Sequence, residues 1–281
     1  MSNHCEEKRA AFRALHKQDI PFVIPNPWDV GSARILHGFG FQALATTSAG
    51  MAFSMGVCEG ESTRDTVMDH CRMLVDATPL PVSADLEKGF ADTPDGVAET
   101  VTLAGEIGLA GCSIEDHTGD RADPIFDQGL AVERVAAAVE AAHAISPDFI
   151  LTARCESFLW GGPDLDAVIR RLQAFEAVGA DVLYAPGLTD LDSIRTVCQS
   201  VTRPVNVVMG MPGATFDLDA LKQAGVKRIS IGSAFARLAY GSLLAAAQET
   251  GLPVVGITET MPEGASYVGW MLEQLNSDCL G

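Results

Sequence analysis

Apolar residues along this chain fall into two alternating rhythms. Short runs rich in Val, Ile, Phe and Ala give way to longer stretches in which apolar positions recur three and four residues apart. The short runs predict strands at 22–24, 43–46, 81–84, 111–114, 149–152, 181–184, 204–207 and 227–231. The longer stretches predict helices, among them 64–77, 95–107, 131–145, 164–178, 218–224 and 235–249, with Val135, Val139, Ala142 and Ile145 marking one apolar face. Boundary chemistry agrees. Thr93-Pro94-Asp95 offers a cap, a proline at the first helical position and an acid in the first turn. Gly108, Gly179 and Gly225 stand where three helices would end in a left-handed residue.

Eight strands alternating with helices predict a parallel sheet, and eight is the number that closes a (β/α)8 TIM-type barrel. The alternative, an open doubly wound sheet, would be expected to carry G-x-G-x-x-G after a strand, and that motif is absent. The residues through Lys17 read as an extra N-terminal helix under the barrel. We therefore expect a catalytic barrel domain over 1–249 and a C-terminal helical extension over 250–281. The extension comprises a Gly-, Pro- and Thr-rich linker at 251–263 and an apolar helix at 265–275 with Tyr267, Trp270 and Leu275. That helix would pack either on its own barrel or on a neighbouring subunit.

Composition narrows the function classes. Of 281 residues, 47% are hydrophobic, enough for a sizeable core. Lys+Arg number 19 against 37 Asp+Glu, a net charge of −18, which argues against nucleic acid and against an anionic membrane surface. No apolar run approaches the roughly 18 residues of a membrane span, and the polar first ten residues do not read as a signal peptide. Seven scattered cysteines without C-x-x-C suggest a reduced, cytoplasmic setting. Six histidines form no H-x-H or H-E-x-x-H pair, so zinc is not expected.

Barrel chemistry gathers at the C-terminal ends of strands. Those positions hold Asn26-Pro27-Trp28-Asp29, Thr46-Thr47-Ser48-Ala49-Gly50, Asp85-Leu86-Glu87-Lys88, Glu115-Asp116-His117, Arg154-Cys155-Glu156, and Asn206 at the seventh strand. The small residues around Thr47 and Ser48 leave backbone N–H groups free to reach an anion. Asp85 and Glu87, two apart, would share the inner face, with Glu115 beside them. Three carboxylates at one mouth repel one another unless a cation sits among them, and an all-oxygen set suits Mg2+, with Mn2+ as a substitute. Arg154 would clamp an anionic substrate. The competing structural reading is a salt-bridge ring of Arg154, Glu115 and Glu156, which leaves negative charge in excess. Lys88 is the one lysine near the mouth, and alternation turns it away, so Schiff-base chemistry is disfavoured. Cys112 and Cys155 read as buried small hydrophobes, and His117 as a candidate for catalysis or substrate contact.

In their order along the chain, N-P-W-D with T-T-S-A-G, S-A-D-L-E-K-G-F, I-E-D and A-R-C-E resemble the isocitrate lyase/phosphoenolpyruvate mutase superfamily, from about Phe12 to Glu249. The resemblance implies a Mg2+-dependent barrel enzyme acting on small 2-oxo or 2-hydroxy acids through a metal-stabilised, pyruvate-type enolate. It implies that Asp85 ligates the metal, that Glu87 and Glu115 hold it largely through waters, and that the Thr47–Ser48 backbone receives the substrate carboxylate opposite Arg154. It places Glu59 where the family usually has an aspartate near the metal. It also implies a homo-oligomer, a dimer or tetramer with exchanged C-terminal helices. Two departures stand out. The loop after Glu115 reads His117-Thr118-Gly119-Asp120-Arg121-Ala122-Asp123-Pro124 in place of the K-K-C-G-H of isocitrate and methylisocitrate lyases, and it lacks the mutase asparagine. The expectation is a lyase or decarboxylase of a small 2-oxo or 2-hydroxy dicarboxylate, with Arg154, Glu115, His117 and Glu59 as catalytic candidates and Thr47, Ser48, Asp85, Arg154 and Asn206 lining the substrate site. The alternatives are C–P bond cleavage and a non-catalytic binder of oxo acids.

Overall fold

The computed structural model describes residues 3–160, 162, 164–210 and 216–249. The linker and helix expected over 250–281 lie outside the described residues. The elements run α1 (Asn3–His16), β1 (Phe22–Ile24), α2 (Val30–Gly38), β2 (Leu44–Ala45), α3 (Ser48–Met55), α4 (Arg64–Ala77), β3 (Val82–Asp85), α5 (Pro94–Glu106) and β4 (Gly111–Glu115). They continue α6 (Gln128–Ile145), β5 (Ile150–Arg154), α7 (Leu165–Ala177), β6 (Val182–Tyr184), α8 (Leu191–Ser200), β7 (Val205–Val208), α9 (Leu218–Ala224), β8 (Arg228–Ser230) and α10 (Ala234–Glu249).

All eight strands pair in parallel, in the order β1-β8-β7-β6-β5-β4-β3-β2. The two ends of that ladder meet. Ala45 N donates to Pro25 O at 3.1 Å. Asn26 Nδ2 donates to Thr46 O at 3.0 Å, and its Oδ1 accepts from Ile231 N and Gly232 N, both at 2.9 Å. One amide thus laces β1, β2 and the end of β8, and the sheet forms a nearly closed (β/α)8 TIM-type barrel.

Among the described residues, five of the chain's 37 acids cap helices. Asp29, Asp127, Asp164, Asp190 and Asp217 each accept a backbone N–H at a helix start, and Asp29 forms a reciprocal capping box with Ser32. Each such cap contributes about 1 kcal/mol. Between strands and helices lies a packed layer including Val101, Leu109, Ala138, Leu151 and Phe175, all fully buried.

As expected, α1 closes the foot of the barrel. Phe12 packs with Phe22, Ile24, Ile150 and Val182. Arg9 donates to Leu109 O and Gly105 O, and Arg13 pairs with Asp181 at 3.0 Å. Among the described residues, this apolar cluster fills the foot of the barrel. Among the described residues no helix is long and apolar enough to cross a membrane.

One element was not anticipated. The small residues after β2 open the eight-residue helix α3. The Thr47 side chain accepts from Gly50 N, and Gly56, at φ 72, ends the helix in the left-handed region. Gly50 is required there, since a Cβ would stand 2.6 Å from Thr47 Cγ2 and 3.0 Å from Trp28 Cβ. Ala49 and Phe53 of α3 then pack on Ala236 and Tyr240 of α10.

Candidate active site

Asp85, Glu115 and Arg154 are the last residues of β3, β4 and β5, so three adjacent strands bring them to one rim. Glu115 and Arg154 are register partners. Arg154 Nη1 lies 3.4 Å from Glu115 Oε2 and 3.6 Å from Asp85 Oδ2, while its Nε donates to Glu156. Its guanidinium carbon sits 5.3 Å from the Tyr184 ring centroid. Burial by itself would lower the Arg154 pKa, but Glu156, Glu115 and Asp85 together hold it well above its usual value. The ion-pair ring anticipated from sequence is therefore present, and Asp85 belongs to it.

The ring does not neutralise the mouth. Burial pushes the Glu115 carboxyl well above its usual value against the pull of Arg154, and Glu156, Asp85 and Glu87 push it further. Glu87 is raised to about 7, first by burial and then by Asp85 and Glu59. Its place is reached differently from the sequence expectation. The strand ends at Asp85, and Glu87 follows in left-handed backbone at φ 50, its N–H donating to Asp85 Oδ1 at 3.3 Å. A turn, and not strand alternation, aims it at the mouth. Glu59 belongs to the same group. Its residue surface is largely exposed, yet its carboxyl end accepts from Ser48 Oγ at 2.7 Å, and burial and Asp85 raise its pKa against that bond.

Ser48 opens α3, with Thr47 as its cap. Its N–H points at Asp85 Oδ2 at 3.5 Å and its hydroxyl lies 3.1 Å from the same oxygen. A helix N-terminus thus faces the rim. Asn206, from β7, is buried, accepting from Arg228 Nε at 2.8 Å and donating to Ser230 Oγ at 3.0 Å. It lines, with Thr47, Asp85, Arg154 and Tyr184, a small cavity of about 70 Å3 running from the rim into the barrel.

Of the loop after β4, His117 alone comes to the rim. Its Nδ1 is 3.9 Å from Glu115 Oε1, and its ring stacks on Trp160 at 4.2 Å and 13°. Its Nε2 is buried with no hydrogen-bond partner, and burial lowers its pKa. Asp120, Arg121 and Asp123 are exposed, in a tight turn held by Thr118 Oγ1. Lys88 is occupied outside the rim by Asp92 Oδ1 at 2.6 Å and Thr118 O at 2.7 Å. Cys112 and Cys155 are fully buried, and burial pushes the Cys155 thiol up to about 12. Sequence reasoning passed over Trp160, Tyr184 and Arg228. The signal for the last two was strand alternation, which puts Tyr184 and Arg228 on the same inner face as Arg154.

No three His, Cys, Asp or Glu side chains among the described residues already form a closed metal cage. The set nonetheless fits a hard divalent cation that keeps most of its waters. It is all oxygen, and Glu59, Glu87 and Glu115 are raised first by burial and then further by the carboxylates around them.

Fold and site together define a TIM-type barrel protein with an acidic rim of Asp and Glu around one arginine, closed below by an N-terminal helix. The phosphoenolpyruvate phosphomutase family matches residues 12–250, and the chain belongs to that family, within the isocitrate lyase/PEP mutase superfamily. The 2-methylisocitrate lyase of Escherichia coli is 33% identical over 80% of this chain and 78% of its own length. A candidate lyase/mutase from Burkholderia cenocepacia is 50% identical, with a TM-score of 0.87 over 98% of this chain and 96% of that one. A 2,3-dimethylmalate lyase is 28% identical, with a TM-score of 0.79 over 98% and 95%.

Proposed function

We propose that this chain is a Mg2+-dependent lyase or decarboxylase that cleaves a C–C bond of a small 2-oxo or 2-hydroxy dicarboxylate. The observation that carries this reading is Arg154 set among Asp85, Glu115 and Glu156 at the open end of a barrel, with Glu59 and Glu87 adding further acid beside them.

Asp85 would ligate Mg2+ directly, and Glu87 and Glu115 would hold it through waters, with Mn2+ able to substitute. The ion supplies a Lewis acid for the oxygen that gains charge as the bond breaks. Arg154 offers charge-assisted N–H donors to the same developing charge. The N-terminus of α3, with Ser48 N–H toward the rim, would receive a substrate carboxylate. His117, held flat by Trp160 with a free Nε2, would move the proton that the leaving fragment needs. Glu59 orients the Ser48 hydroxyl. The absence of the K-K-C-G-H cysteine argues for a substrate other than isocitrate or 2-methylisocitrate.

The family match favours a second reading, C–P bond cleavage of a phosphonopyruvate-like acid on the same ligands. Exposed Leu238 and Leu243 on α10 support an oligomer in which C-terminal helices pack on another copy, and light scattering would test it, a monomer removing that part of the proposal. The function is tested by assaying the purified protein with Mg2+ against oxaloacetate, substituted malates, 2-methylisocitrate and phosphonopyruvate. Release of a 2-oxo acid or carbon dioxide that is lost in Asp85→Ala supports lyase chemistry, and phosphate release supports the second reading. Binding without turnover would make it an oxo-acid binder. Inactivity with every compound, or activity indifferent to Asp85→Ala, contradicts the proposal.

A further inference from the structure

Arg154, Tyr184, Asn206 and Arg228 are successive register partners across β5, β6, β7 and β8. Arg154 ends β5 and Arg228 begins β8, so this row descends from the rim toward the foot. The two guanidiniums at its ends are treated in opposite ways. Arg228 is 6% exposed, its Nε is held by Asn206 Oδ1, and its Nη1 is buried with no partner. Among the described residues it makes no ion pair. Burial pulls its pKa down to about 10, against a small contribution from Tyr184, so it stays charged at neutral pH.

A guanidinium out of water without a carboxylate costs several kcal/mol. Something must offset that charge. The space for it is present. Ala45, Ser83 and Ser113 line the cavity that Arg228 also lines, at inner positions where most barrels carry bulky Val, Ile or Leu. The walls are polar. Ser230 and Asn206 border the cavity, and Thr152, two residues before Arg154 on the same strand face, has a fully buried hydroxyl with no partner. Tyr184 stands between Arg154 and Arg228 in the row, and of the five rim carboxylates Asp85 is the one that lines the cavity Arg228 shares.

We propose that the barrel interior below Tyr184 is an anion site, with Arg228 as its charged ligand, taking a small monoanion, either a carboxylate or an inorganic ion. This site does not rest on the lyase reading. It needs neither Mg2+ nor turnover.

The test is anomalous diffraction from crystals of the full chain grown with bromide, without divalent cations, and repeated with Arg228→Met. An anomalous peak within hydrogen-bonding distance of the Arg228 guanidinium in wild type, absent in the variant, is the expected result. Formate added to the bromide crystals separates the two sources. Displacement of bromide by formate assigns the chamber to carboxylates, and bromide persisting there assigns it to inorganic ions. In solution, bromide should raise the melting temperature of wild type, and the apparent affinity should fall by at least about tenfold in Arg228→Met. Should that variant fail to fold, the wild-type crystal alone decides. Ordered water and no bromide against Nη1 would overturn the proposal.

Discussion

At the rim one guanidinium, Arg154, is grouped with the carboxylates of Asp85, Glu115, Glu156, Glu87 and Glu59, while three strands away in the same row Arg228 has none. The barrel frame is the same for both, and what differs is access. The rim opens to solvent and can admit a divalent cation, so excess acid is tolerable there and useful. The interior is shut below by Phe12 and α1, so a charge there depends on whatever the cavity admits from above. Charge sign along the barrel axis is thus layered, with the acidic rim above a cationic interior and an apolar foot.

Removing the rim cation should have the largest effect. Arg154→Gln should lower kcat/KM by about 10^2–10^3-fold, the loss typical of one preorganised donor to developing charge. Steady-state kinetics on whichever acid proves to be the substrate would measure it. Retained activity would reduce Arg154 to a structural ion pair. The foot should respond in the opposite way. Phe12→Ala should cost about 3–5 kcal/mol in urea unfolding, with kcat little changed in the folded fraction, because its ring fills the sealed end and touches no rim residue.

The foot also carries a pH signature. His16 Nδ1 is hydrogen-bonded to Phe12 O, and burial, with Arg228 second, lowers its pKa to about 3. Its folded pKa is below its unfolded value, so the unfolded chain binds the proton first as pH falls. Stability should be fully present above about pH 6.5 and should fall toward pH 3 by up to about 1.4 kcal/mol per pH unit from this group. Urea melts of wild type and His16→Phe at pH 7 and pH 5 would show a smaller pH difference in the variant, and equal slopes would refute the assignment. The smallest effect is at a helix start away from both regions. Thr93→Ala should cost about 1 kcal/mol through loss of the α5 cap and leave kinetics unchanged.

Most of the barrel was legible in the sequence because two periods, two and 3.6, alternate with little interruption. The strand positions and α1 followed from that pattern alone. The rim was legible in part. Asp85, Glu115 and Arg154 stand at strand ends, where chain position fixes direction. Glu87 was found for a different reason from the one that places it, since a left-handed turn does what alternation was expected to do. The Glu59 contact to Ser48 and the His117 stack on Trp160 join segments 11 and 43 residues apart through loops, and no periodicity encodes such meetings. Arg228 was hidden by its neighbours in sequence, Lys227-Arg228-Ile229, which read as an ordinary strand entry until the register with Asn206 aims one of the two cations inward.

The proposed chemistry depends on a divalent cation offsetting the crowded acids of the rim. Calorimetric titration of Mg2+ into the metal-free protein tests it without any substrate. The expected result is saturable binding of one ion per chain in wild type, weakened at least about tenfold in Asp85→Asn. No binding at physiological Mg2+, or equal affinity in the two proteins, would contradict it.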